Sequence, residues 1–125
     1  MNTDVIEGNN IIAIFDGYTF EPESTLNGHK GVYRKEGKAS MQPNINHGFH
    51  PKYHSSWSWI MPICKKFDTL FEGDNYRKLK RAKRRSEKYQ EHCDNIDNAV
   101  TTYEVEQVWE KLVAAITWYN NTIKE

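Results

Sequence analysis

Apolar residues recur at helical spacing in two strong stretches of this chain. In the first, Trp57, Ile60, Met61, Cys64, Phe67 and Phe71 share one face, and Ser55 and Ser56 stand ahead of it as residues at a helix start do. The pattern predicts a helix over residues 56–71. Pro62 falls within its first two turns, where it removes a backbone donor and bends the axis unless Ser58 is the true cap. So many large rings on one short helix predict a buried wall on which other elements pack. In the second stretch, Val105, Val108, Trp109, Leu112, Ile116 and Tyr119 form the clearest face of all. Thr101 and Glu104 have the spacing of a capping box ahead of it, and Asn120-Asn121 ends it. The two stripes are expected to cover each other, with Trp57, Ile60, Met61, Phe67, Val108, Trp109, Leu112 and Ile116 in one seam.

Between them, residues 75–97 read as a long helix with a thin stripe at Tyr76, Leu79, Ser86, Tyr89, Cys93 and Ile96. Toward the N-terminus, Asn9-Asn10 precedes the run Ile11 to Phe15, and Asp16-Gly17 follows it. Asn as N-cap and Gly17 as the residue after the run argue for a short helix, the β-branched residues argue for a strand, and the resemblance described below tips the reading to helix. Tyr18-Thr19-Phe20 and Val32-Tyr33-Arg34 read as two strands around an Asn27-Gly28 turn, with Pro22 limiting the first. Residues 1–8 read as a frayed end and residues 37–54 as a long loop. The predicted fold class is α+β: one small domain over residues 1–125, dominated by three helices, with a short N-terminal β-hairpin.

Three stretches carry a resemblance. They are Asn10-Ile11-Ile12-Ala13-Ile14-Phe15-Asp16-Gly17, the run from Tyr53 through Trp57 and Trp59 to Met61-Pro62-Ile63, and the run from Val108-Trp109 to Trp118-Tyr119-Asn120. Together they resemble a family of short bacteriophage and prophage proteins, many from Bacteroidetes hosts. Those open with a motif of the type LIAxFMG, continue with YHxSWDWLMPVV and close with AVVxFIxWYN. More loosely, the layout is similar to phage ABA-sandwich proteins, which place a small antiparallel sheet between N-terminal and C-terminal helical segments. The chain departs from the motifs at Ser58 and Cys64-Lys65, and a basic helix stands in residues 72–100 where the resemblance implies short strands. The family offers no catalytic residue to carry over.

Composition changes this picture in one respect. The net charge is zero, yet residues 75–88 hold eight cations against the single acid Glu87, a local charge of +7, which leaves −7 on the rest. Like charges that close repel along a helix, so an acidic neighbour or a polyanion must offset them. Arg77, Lys78, Arg81, Arg84, Arg85 and Lys88 are therefore candidate ligands for phosphates or an acidic partner, with Tyr76 and Tyr89 as stacking surfaces. Trp59 and Trp118 fall off the stripes and are candidate interface residues. The closing helix has apolar flanks at Val113 and Trp118, a width that predicts a symmetric homodimer or larger assembly.

His47, His50 and His54 offer three imidazoles of the kind that hold zinc. They fall on a loop, and no acid lies among them to orient a ring, so no metal and no cofactor is expected. Cys64 and Cys93 lie on apolar stripes and read as buried, reduced thiols. The acids are scattered, so paired-carboxylate chemistry has no support. The residues give no support to a reaction, and the phage resemblance implies a non-enzymatic accessory protein that binds a host or phage macromolecule, with a counter-defence role. Alternatives are a nucleic-acid-binding protein using residues 75–88, or a pocket that sequesters a small nucleotide. No stretch is apolar enough to span a membrane, and Asp4 and Glu7 with no basic residue in Met1–Gly8 do not make a signal peptide. The expected location is the cytoplasm of the host cell.

Overall fold

A computed structural model describes residues 2–26, 28–43, 50–70 and 83–122. Along the chain run α1 (Asn2–Phe15), β1 (Thr19–Leu26), β2 (His29–Arg34), α2 (Trp57–Asp68), α3 (Lys83–Val100) and α4 (Val105–Thr122). The architecture is α+β: an antiparallel two-stranded hairpin and, among the described residues, four helices where three dominant ones were expected. The fourth is α1, the short helix read ahead of Asp16-Gly17, which runs to 14 residues. It begins at Asn2, inside the stretch read as frayed, so Asn9 and Asn10 lie within the helix and neither is its cap.

The end of α1 is where the sequence places it. The Tyr18 N–H donates to the Ala13 carbonyl and the Gly17 N–H to the Ile14 carbonyl. This paired closure needs a left-handed residue, and Gly17 supplies it at φ +108°. The turn aims the chain directly into β1.

In the hairpin, Leu26 pairs with His29 across a two-residue loop, and Thr19 pairs with Arg34. The strand is longer than expected because it passes through Pro22. The register shifts between Glu21 and Thr25, so that irregularity takes up the residue with no N–H to donate. Beyond β2 the chain folds back, Met41 bridges to Tyr33, and Met41 and Gln42 are fully buried. The loop thus feeds two side chains to the interior.

Helix α4 is the hub, in place of the central helix. It packs on α1, α2 and α3, and its Val108, Trp109, Leu112, Ala115 and Ile116 are buried. Helix α2 buries Ile60, Ile63, Cys64 and Phe67. Trp57 and Met61, expected in the seam, are instead 36% and 39% exposed. The other six residues of the expected seam are buried in one cluster with Ile12, Tyr33 and Tyr53. Ser56 is the N-cap of α2, which leaves Pro62 inside the helix as its sixth residue. Its ring is exposed, and the Ser58 carbonyl one turn earlier lacks its usual helical donor.

The connection from α3 to α4 also differs from the capping-box reading. Thr101 and Thr102 donate their hydroxyls back to the Asn98 and Ala99 carbonyls and so close α3, while Thr102 Oγ1 also accepts from the Glu104 N–H ahead of α4; Thr101 is not the cap of α4. Tyr103 then adopts φ +60° with 88% of its surface exposed. A side chain in that region costs about 1–2 kcal/mol, and glycine avoids the cost at the expense of unfolded-state entropy. Tyr103→Gly is expected to raise stability by about 0.5–1 kcal/mol. Thermal denaturation reads this as a Tm higher by a few degrees; a lower Tm would mean that Tyr103 is not strained.

Candidate functional site

Two constellations join the ends of elements. The first lies where α1 ends, the hairpin returns and α2 begins. Asp16, just past α1, accepts from the Tyr53 hydroxyl at 2.8 Å on one carboxylate oxygen. Lys35, just past β2, donates to the Asp16 carbonyl at 2.7 Å and lies 3.3 Å from its other carboxylate oxygen. The Lys35 ammonium also sits 5.3 Å above the centre of the Tyr18 ring. Tyr53 is buried, and its ring meets that of Trp59 edge-on at 5.3 Å. Burial first, and then the bond to Asp16, push the Tyr53 phenol far above its ordinary range. These groups border a cavity of about 410 Å³, with Ile63 at its buried side and Lys38 and Pro62 at its exposed edge.

The second constellation is internal. The Trp109 indole N–H donates to Asn9 Oδ1 at 2.9 Å, a bond between residues a hundred positions apart. The Asn9 amide then donates to the Pro51 carbonyl at 3.3 Å and meets His54 Nδ1 at 2.9 Å. An indole N–H can only donate, so Asn9 Oδ1 must be the acceptor and its NH2 must face His54. His54 Nδ1 is therefore unprotonated. The His54 pKa is lowered, by burial first and then by the charge of His50, while Glu106 opposes both. Asn9 immediately precedes the first of the three resembling stretches and touches the second and third through His54 and Trp109.

The thiols are free and buried. Burial pushes Cys64 to about 12 and Cys93 to about 11, so neither is a thiolate at neutral pH.

Among the sequence candidates, Tyr76, Arg77, Lys78, Arg81 and His47 lie outside the described residues, as do the side chains of Arg84 and Arg85. Lys88 is exposed and pairs with Glu91 at 3.2 Å. Tyr89 is not a stacking surface. It is buried, and its hydroxyl reaches the Phe67 and Asp68 carbonyls at 2.7 and 2.9 Å, closing the end of α2. Trp59 and Trp118 are both half-buried; Trp118 lies against the His92 ring at 5.3 Å. The tryptophan on the surface is Trp57. Val113 and Trp118 both pack partly on the core, which removes much of the width that suggested a dimer. Among the described residues no group of three or more histidines, cysteines and acids could hold a metal, and His54 is engaged by Asn9. No described helix is long and apolar enough to cross a membrane.

Asp16, Lys35 and the cavity they border were not anticipated. Asp16-Gly17 was legible as a helix end, but nothing local links it to Lys35 or Tyr53. Compared with protein-family models, with curated proteins and with solved structures, the chain matches none.

Proposed function

We propose that this chain is a non-enzymatic binding protein that docks on a host or phage protein through α2. The observation that carries this reading is the exposed pair Trp57 and Met61, one turn apart on a helix with a defined N-terminus. Aromatic residues and Met are enriched in interfaces, and tryptophan leads among residues whose truncation costs most affinity. Lys65 continues the same side of the helix and offers a charge to the rim. Binding is favoured over catalysis because the buried hydroxyl and thiols hold their protons at neutral pH. The phage setting, and counter-defence within it, rest on the motif resemblance. A nucleic-acid reading has less support from the described residues, since Tyr89 is committed to the core.

The test is a double variant, Trp57→Ser with Met61→Ser. Each side chain has more than a third of its surface exposed, so the variant should remain folded, which circular dichroism checks. A protein cross-linked to the parent in the producing cells should be recovered at least about tenfold less with the variant, a loss of some 1.4 kcal/mol. Sedimentation of parent and variant shows whether that protein is a second copy of this chain. Equal recovery from both would exclude the α2 face.

A further inference from the structure

We propose that the cavity beside Asp16 binds a small planar anion: a flat ring carrying one carboxylate or phosphate group. This site lies across α2 from Trp57 and Met61 and does not depend on their role. Size comes first. A volume of about 410 Å³ is within the range of small-molecule sites. The apolar surfaces bordering it are the Trp59 ring with Pro62 and Ile63 beside it, the face of Tyr18 being taken by Lys35, and such surfaces favour a flat apolar body.

Charge then decides the sign. Asp16, the one carboxylate among the described lining residues, is already satisfied by Tyr53 and Lys35. An ammonium already occupies the face of Tyr18, so a cationic ligand would compete with Lys35 and meet repulsion from Lys38. Lys35 has three N–H donors and spends two of them on Asp16, which leaves one. Lys38, exposed at the cavity mouth, makes no ion pair with its side chain among the described residues, which leave its three donors unspent. The open hydrogen-bonding capacity of the two lysines is therefore donor capacity, and it suits an anionic group at the mouth with its ring directed inward.

The chain has four tryptophans, and each indole N–H gives its own signal in a nitrogen-correlated NMR spectrum. Adenosine 5′-monophosphate and indole-3-carboxylate serve as the two ring anions, adenosine and indole as their neutral counterparts, and inorganic phosphate as the anion without a ring. A ring anion should shift the Trp59 signal saturably and leave that of Trp109 in place. Each neutral counterpart and inorganic phosphate should bind at least about tenfold more weakly. Lys38→Gln, at an exposed position, should weaken the ring anion about tenfold and leave the neutral ring unchanged. Whether the phosphate or the carboxylate compound responds identifies the source of the charge; a response from either supports the site. The proposal is overturned if neither ring anion saturates by about 10 mM, if neutral rings bind as well, if Lys38→Gln has no effect, or if the shifts gather on residues 76–88.

Discussion

Trp109→Ala is expected to cost about 3–5 kcal/mol, a large share of the stability of a domain this size. Trp109 is buried in the shared core and faces α1 at Gly8. A Cβ at Gly8 would collide with Trp109 Cζ2, so the ring occupies the space that any side chain there would need. Removing the ring opens a void that glycine cannot fill. It also strands Asn9 Oδ1, which is buried and receives the indole N–H. Both effects have the same sign. Trp109→Phe separates them, because it keeps most of the volume and loses only the donor; about 1–3 kcal/mol is expected. Urea denaturation followed by circular dichroism measures both variants. If Trp109→Ala unfolds at the parental midpoint, the contact between α1 and α4 is not what holds this fold together.

The same contact explains where the sequence could and could not be read. Helix α4 shows a continuous apolar face, and its buried residues are those the periodicity marks. Helix α1 uses Val5, Gly8, Asn9, Ile12 and Ala13 on the face that meets α4, and two of those five are not apolar. Hydrophobic periodicity therefore starts only at Ile11, and half the helix is invisible to it. In α2 the difficulty is the reverse. Ile60, Cys64 and Phe67 are flanked by Trp57 and Met61 on one side and by Trp59 and Ile63 on the other. Either arc completes a plausible stripe, and only the positions of Tyr53 and α4 decide that Ile63 goes inward. At Thr101 and Thr102 the hydroxyls had two helix ends within reach: both donate to the preceding one, and Thr102 alone also accepts from Glu104 ahead of the next. The cavity was illegible for a different reason. It joins Asp16, Lys35 and Tyr53 through the turn at Gly17 and the return of the hairpin, and no local pattern encodes that meeting.

Asn9→Leu is the second large effect, and it comes with a pH signature. The substitution fills similar volume but leaves the Trp109 N–H, the Pro51 carbonyl and His54 Nδ1 without their shared partner. At about 1–3 kcal/mol for each stranded buried group, and with His54 able to relax because it is only half-buried, the expected loss is about 2–5 kcal/mol at pH 8. In the parent, His54 must keep its lone pair toward the Asn9 NH2, so protonation would set donor against donor. His92 is disfavoured as a cation too, through burial first and the charge of Lys88 next, against an opposing Glu91. Both histidines are lowered from 6.5, so the folded chain binds fewer protons than the unfolded chain just below that value. Their contribution is complete above pH 6.5 and is lost as the pH falls toward their folded values. Parental stability should therefore be lower at pH 5.5 than at pH 8. His54→Gln, which presents an acceptor that does not titrate, should reduce that difference. Asn9→Leu should reduce it as well, because nothing then requires an unprotonated Nδ1. Urea midpoints at the two pH values give the answer: a pH difference that survives unchanged in both variants would remove His54 as its source and leave His92 on Trp118 to account for it.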